Sequence, residues 1–163
     1  MTAFNTDIFS QFDKKWGLLC AGTMEEHNAM TISWGGMGTL WRMPVVTVYV
    51  RPNRYTYGFM EKNEYFTVGF FPEEYRRIHN VMGSKSGRDM DKDKEAGVTP
   101  KDLGKAVGYE EAEVTFLSRK VYDQDMDPER MDQECLAAIY GEDKALHRMY
   151  IGEVVDIIRK EEK

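Results

Sequence analysis

The chain lacks any long hydrophobic run. No stretch reaches the roughly 18–20 uncharged apolar residues that a membrane-spanning helix needs. Residues 1–15 carry neither a basic start nor an apolar middle, so we expect no signal peptide there. Cysteine is also scarce, because Cys20 and Cys135 are the only two and are too few for a disulfide framework. These absences predict a soluble cytoplasmic protein with no membrane partner.

The sequence motifs of several common enzyme classes are missing. Gly36 and Gly38 start a dinucleotide-binding pattern, but Trp41 stands where the third glycine belongs. The glycine-rich segment 83–88 lacks the spacing of a phosphate-binding P-loop, and no serine lies in a nucleophile elbow. We therefore expect neither a Rossmann site nor a hydrolase.

Metal-binding patterns are absent as well. The three histidines, His27, His79 and His147, show no zinc-ligand spacing. The acidic segment 123–134 has the spacing of a calcium loop, but Pro128 occupies the position where that loop needs glycine. We interpret this segment as a solvated acidic loop and predict no metal site.

The net charge and its distribution restrict the class of ligand that we expect the chain to bind. The chain has 22 basic and 28 acidic residues, a net charge of −6, whereas general nucleic-acid binders usually carry a basic surface. Basic residues nevertheless gather between Arg51 and Lys94. This distribution favours a small anionic ligand over a nucleic acid.

What is present is a folded chain rich in short strands. Apolar residues make up 42 % and aromatic residues 12 % of the 163 positions, which suits one domain over residues 1–163. Alternating or β-branched runs predict six or more strands. The runs cover Trp16–Ala21, Asn28–Trp34, Pro44–Arg51, Tyr65–Phe71, Ala112–Tyr122 and His147–Arg159. Short helices are predicted between them, at Tyr55–Asn63, Glu73–Met82, Asp89–Ala96 and near Arg130–Ala138. Since no long helices alternate with the strands, the pattern predicts a mainly β protein, a small antiparallel barrel with short α insertions.

Three segments carry residues suited to binding an anionic, aromatic ligand. Segment 28–36 ends a predicted strand with small polar residues, Trp34 and two glycines, which would let backbone groups approach a flat heterocycle. Segment 51–56 carries two arginines into a helix N-terminus, and segment 83–92 places serines and lysines between glycines. Both loops suit a phosphate. The alternatives are a strand entering a tight turn for the first segment and solvated loop charge for the other two.

Five stretches together closely resemble the flavin-reductase-like (flavoredoxin-type) FMN-binding split-barrel family. They are NAMTISWGGMGTLW, PVVTVYVRPNRYTYGFM, YFTVGFF, GSKSGRDMDKDKEAG and HRMYIGEVV, in this order along the chain. The resemblance covers roughly residues 10–160. The resemblance implies a six-stranded antiparallel Greek-key split barrel. It also implies a homodimer with one FMN per subunit near the interface.

The resemblance assigns fourteen candidate cofactor-binding residues. The isoalloxazine ring would be lined by Asn28, Met30, Thr31, Ser33 and Trp34. The ribityl-phosphate end would be held by Arg51, Arg54, Tyr55 and Thr56. Residues around the phosphate or the pyrimidine side would be Ser84, Lys85, Ser86 and Lys92, and His147 would reach the flavin. No catalytic acid, base or nucleophile is required, because the flavin carries the chemistry.

The implied function is an FMN-dependent oxidoreductase of the NAD(P)H:flavin oxidoreductase type. NADH or NADPH would be the electron donor, and flavin or another small molecule would be the acceptor. Two alternatives remain open: a non-catalytic FMN electron carrier reduced by a partner protein, and a split-barrel binding module that has lost flavin.

Overall fold

The computed structural model describes residues 4–160. One antiparallel sheet of seven strands has the order β2-β1-β5-β8-β9-β4-β3. The strands of this sheet are β1 (Gly17–Gly22), β2 (His27–Ile32), β3 (Gly35–Leu40), β4 (Met43–Val50), β5 (Tyr65–Phe70), β8 (Val114–Asp125) and β9 (Arg148–Arg159). A separate small hairpin is formed by β6 (Pro100–Asp102) and β7 (Val107–Tyr109).

The sheet curls into a barrel that is open along one seam. Strands β2 and β3 lie at opposite ends of the hydrogen-bonded order, yet only Ser33 and Trp34 separate them in the chain. Consecutive Cα atoms are about 3.8 Å apart, so a two-residue connection must bring the two ends of the sheet close together. The result is a split barrel whose seam lies between β2 and β3.

The helices are short and lie between the strands. They are α1 (Ile8–Ser10), α2 (Tyr55–Lys62), α3 (Ile78–Met82), α4 (Lys92–Ala96) and α5 (Gln133–Ile139). Helix α4 begins after Asp91, whose side chain accepts a hydrogen bond from the Lys94 amide, and it ends at Gly97 in the left-handed conformation (φ 72°). No helix among residues 4–160 is long and apolar enough to cross a membrane.

Two hydrophobic clusters cover the two faces of β1. Leu19 and Ala21 point into the barrel, whereas Leu18 and Cys20 pack on the other face against α3 and β7. Because both faces are covered, every residue of β1 is buried, which explains its continuous apolar run.

The expected mainly β split barrel is confirmed, with three corrections. The main sheet has seven strands rather than six, because 35–40, expected to begin as a turn, pairs with β4 along its whole length. The helix expected over Glu73–Met82 divides into a 3₁₀ turn at Glu73–Tyr75 and α3. The helix expected from Asp89 begins only at Lys92.

The acidic segment begins as strand rather than loop. Asp123 and Asp125 extend β8, and both carboxylates pair with Arg148 on β9. Arg148 therefore offsets part of their negative charge.

The barrel interior leaves no room for a side chain at Gly152. A Cβ atom there would lie 2.6 Å from Phe66 Cζ and 2.8 Å from Ser118 Cβ, and both of these residues are fully buried. We expect Gly152→Ala to lower the free energy of unfolding by about 1–3 kcal/mol through overpacking. Urea denaturation followed by circular dichroism measures this change.

Gly38→Ala is the matched control, because a Cβ atom at this strand glycine would meet no atom of the described residues within 4 Å. The control should change the free energy of unfolding by less than about 0.5 kcal/mol. Equal effects of the two substitutions would contradict the described packing around Gly152.

Candidate functional site

A cationic cavity of about 180 Å³ lies beside β2, between the start of α2 and the loop 83–88. Four of its lining residues are cations: Arg54, Lys85, Arg88 and Lys92. None of the described residues that line it is acidic. In a chain of net charge −6, such a concentration of positive charge favours a bound anion.

A buried amide joins the segments around the cavity. Asn28 on β2 donates a hydrogen bond from Nδ2 to Thr56 Oγ1 on α2, at 2.8 Å. The loop passes so close to Asn28 that a Cβ atom on Gly87 would lie 2.1 Å from the Asn28 Oδ1 atom. Only glycine fits there, so the close approach of loop 83–88 to β2 depends on Gly87.

Lys92 closes the cavity at the free edge of β2. Its buried ammonium donates to the carbonyl oxygens of Ala29 (2.7 Å) and Met82 (2.9 Å). Burial, and after it the positive charge of Arg54, lower the pKa of Lys92 to about 8. An ammonium has three N–H donors, so one remains for a ligand in the cavity.

The serines of the loop differ in what they can offer a ligand. Ser84 donates its hydroxyl proton to the carbonyl of Asn80. Ser86 Oγ instead accepts a hydrogen bond from the Arg88 amide at 3.2 Å, which leaves its own O–H free to donate. Ser86 is therefore the better anion donor. The Arg88 guanidinium lies over the Tyr55 ring, 4.9 Å from its centre.

Arg54 links the cavity to a second group of side chains. Its Nη2 donates to the Gly83 carbonyl at 3.4 Å, and burial lowers its pKa. Burial, and after it the charges of Arg51 and Arg54, lower the pKa of His147 to about 4. His147 is therefore neutral at pH 7, and its Nδ1 forms a hydrogen bond of 2.5 Å with the Tyr140 hydroxyl oxygen.

The second group presents an aromatic surface near the seam. Trp34 is half exposed, and its ring centre lies 5.2 Å from that of His147. Arg51 forms an ion pair with Asp143 at 3.2 Å and lies over the Tyr140 ring, 5.1 Å from its centre. Within residues 4–160, the buried Nε of Arg51 has no hydrogen-bond partner. Arg51 thus retains a donor for a ligand although its charge is already paired.

Comparison with known families decides the family of this chain. The model of the flavin reductase like domain matches residues 9–163. The chain belongs to the flavin reductase-like family. This membership confirms the family resemblance of the sequence motifs, while no curated protein matches.

Solved structures of low sequence identity share the fold of this family member. Flavoredoxin from Methanosarcina acetivorans superposes with a TM-score of 0.70 at 20% identity, over 99% of this chain and 76% of that one. An FMN-binding protein from Thermus thermophilus, solved with bound 1-cyclohex-2-enone, gives 0.70 at 17%, over 98% and 81%. The styrene monooxygenase flavin reductase of Pseudomonas putida S12 gives 0.66 at 14%, over 90% and 80%.

Most of the fourteen candidate residues of this flavin reductase-like chain lie in two neighbouring places. Eight line the cationic cavity: Asn28, Arg54, Tyr55, Thr56, Ser84, Lys85, Ser86 and Lys92. Three form the second group: Trp34, Arg51 and His147. Ser33 lines a separate hollow shared with Trp34.

The other two candidates have internal partners. The Met30 side chain is packed in the barrel core, and Thr31 Oγ1 lies 2.7 Å from Nδ1 of the buried His79. Alternation along β2 therefore turns these two side chains to opposite faces of the strand.

The structure adds residues that sequence reasoning did not name as site residues. Gly87 and Arg88 line the cavity, and their signal was present in the glycine-rich basic segment 83–92. Tyr140 and Asp143 contact Arg51 from a distant part of the chain. No local pattern marks these two, because only the folded topology brings α5 and the loop after it beside β4.

The position of Arg54 between the cationic cavity and the second group can be tested by measuring the pKa values of His147 and Lys92. Because its positive charge lowers the pKa of both His147 and Lys92, Arg54→Gln should raise both values. Titration by NMR measures them.

Arg76→Gln is the control, because burial, and after it the charge of Arg76, lower the pKa of His79 to about 4. This variant should raise the pKa of His79 and leave His147 unchanged. An unchanged His147 pKa in Arg54→Gln would contradict the described arrangement.

Proposed function

We propose that this protein is an FMN-binding oxidoreductase that accepts electrons from NADH or NADPH and passes them to flavin or another small acceptor. The observation that carries the proposal is the cavity beside β2, with four cations and no acidic residue among its described lining. Membership of the flavin reductase-like family supports a flavin as the anion-bearing ligand. The Thermus thermophilus relative is itself an FMN-binding protein.

The residues fit the phosphate end of FMN. A cavity of about 180 Å³ is smaller than the roughly 300–1,000 Å³ of sites that enclose a whole drug-sized ligand. Arg54 and Lys85 would supply positive charge to the phosphate, and Ser86 would supply a hydroxyl donor. Trp34 and His147 offer aromatic faces for a ring system, within electrostatic reach of Arg54.

The chain's own side chains have a binding and electrostatic role. When bound, FMN supplies the capacity to accept a hydride and to release electrons singly or in pairs. Lys92 and Arg54 hold positive charge beside the ligand, which favours forms of it that carry negative charge. His147 is neutral at pH 7 because its pKa is about 4, so it adds no positive charge there and can form a hydrogen bond through its second ring nitrogen.

The proposal includes a second copy of the chain, in a homodimer. The family resemblance implies a homodimer with the cofactor near the interface, and Trp34 is a half-exposed aromatic residue at the seam. We expect sedimentation equilibrium to give twice the 18.9 kDa mass of one chain. A monomer at micromolar concentration would contradict this part of the proposal.

Removing two cavity cations should weaken FMN binding. Each charge-assisted hydrogen bond to a phosphate contributes about 1.5–3 kcal/mol, so Arg54→Ala with Lys85→Ala should weaken binding by roughly a hundredfold or more. Quenching of FMN fluorescence measures the dissociation constant.

The control pair Arg77→Ala with Lys101→Ala removes the same charge from residues outside this cavity. Because these residues are exposed, only a small electrostatic effect is expected, and it should vanish at high salt. Equal losses in the two double variants would contradict a phosphate site beside β2.

Reduction of the bound flavin by NADH or NADPH would distinguish a reductase from an electron carrier. The likeness to the flavoredoxin of Methanosarcina acetivorans supports an FMN electron carrier as the second candidate. Anaerobic addition of NADH and then NADPH to the FMN-loaded protein separates the two. Bleaching of the flavin absorption bands by either nucleotide supports the reductase, whereas bands that persist until dithionite is added support the carrier.

A further inference from the structure

A polar network outside the cavity joins β2 to α4. His27, the first residue of β2, places Nε2 at 2.6 Å from Asp93 Oδ2 and Nδ1 at 2.9 Å from the Thr23 carbonyl oxygen. The other oxygen of Asp93 accepts the hydroxyl of the buried Tyr109 at 2.8 Å. Asp93 therefore holds partners from β2 and β7 at once.

The geometry of this network requires a proton on both nitrogens of His27. An ionised carboxylate and a carbonyl oxygen are acceptors only, so each imidazole nitrogen must donate. A neutral imidazole would turn one nitrogen lone pair towards an oxygen. The hydrogen bond to Asp93 raises the pKa of His27 above its ordinary value of 6.5, against the opposing effect of burial.

The residues next to this pair line the cationic cavity. Asn28 follows His27 on β2, and Lys92 precedes Asp93 on α4. The Lys92 ammonium also reaches the carbonyl of Ala29, two residues after His27. The contact between His27 and Asp93 thus fastens α4 to β2 beside the point where Lys92 enters the cavity.

We propose that His27 and Asp93 are positioning residues that hold Lys92 in the wall of the ligand cavity, and that this contact is intact only while His27 is protonated. The ligand part rests on the proposed flavin site, whereas the positioning of Lys92 does not. While Asp93 is ionised, the contact is complete below pH 6.5 and weakens as pH rises from there through the raised pKa of His27.

Other charges around His27 favour its protonated form. Carboxylates and ammonium groups share the surrounding hollow, and Tyr109 and Cys20 lie behind Asp93. The charged groups are Glu25, Glu26, Asp91 and Asp93 among the acids and Lys92 and Lys94 among the bases. Acids outnumber bases there.

The first experiment measures the pKa values of His27 and Lys92 by NMR without flavin, in the wild type, Asp93→Asn and Glu95→Gln. Asp93→Asn should lower the pKa of His27. It should raise the pKa of Lys92 from about 8 towards 10.5, because released Lys92 becomes hydrated. Loss of the negative charge alone would act in the opposite direction, since Asp93 raises the pKa of Lys92.

Glu95→Gln is the control because it removes the same charge from an exposed position on the same helix. It should leave both values near those of the wild type. A lowered or unchanged pKa of Lys92 in Asp93→Asn would overturn the positioning role. An unchanged pKa of His27 would overturn the contact itself.

The second experiment measures FMN affinity from pH 5.5 to 9 in the same proteins and in His27→Gln. At pH 6, Asp93→Asn and His27→Gln should bind roughly tenfold more weakly than the wild type, near the lower end of one charge-assisted hydrogen bond. In these two variants, the plot of FMN affinity against pH should lack the change caused by deprotonation of His27. Glu95→Gln should retain that change. Wild-type profiles in both variants would overturn the proposal.

The failure of this proposal and that of the flavin site can be told apart. A wild type that binds no FMN at pH 6 would contradict the proposed function. The pKa values of His27 and Lys92, measured without flavin, would still decide whether Asp93 positions Lys92.

Discussion

The two-residue connection between β2 and β3 is the constraint on which the rest of the structure depends. These strands are the two ends of the sheet, so a connection of only Ser33 and Trp34 forces the sheet to curl and leaves a seam instead of a final strand pair. Among the strands that the structure describes, the seam leaves one edge of β2 without a partner. Lys92 donates to the Ala29 carbonyl on that edge, and the cationic cavity forms beside it.

The cations differ in the acceptors that they contact, and this difference separates those available to a ligand from those that stabilise the fold. Lys92 and Arg54 donate to neutral carbonyl oxygens, those of Ala29, Met82 and Gly83. Hydrogen bonds of this kind satisfy the donors without cancelling the positive charge. Arg148 instead contacts carboxylates of α2 and β8, which neutralise its positive charge. The two environments explain why one cluster attracts an external anion and the other stabilises the barrel.

The sequence predicts the strands well where a side-chain pattern exists. β4 and β9 carry β-branched or alternating residues, and the structure places them close to the expected bounds. β3 was missed because Gly35, Gly36 and Gly38 leave half of its positions without a side chain. Its backbone pairs with β4 along the whole strand, and Met37 alone is packed against the barrel core, so the side-chain pattern of the strand is weak.

The candidate site was predicted in part for similar reasons. The basic and glycine-rich loops predict an anion-binding cavity from the sequence alone, because charge and backbone freedom are local properties. The roles of Met30 and Thr31 depend on which face of β2 each side chain takes, and those faces are fixed by the core and by His79. Tyr140 and Asp143 reach Arg51 only through the topology of the sheet.

Parallel titrations with FMN and riboflavin test the central claim most directly, because the two ligands differ only in the phosphate. If the cavity beside β2 binds that phosphate, FMN should bind at least roughly a hundredfold more tightly than riboflavin, the contribution of two charge-assisted hydrogen bonds. Equal affinities for the two ligands, or no binding of either, would contradict the account.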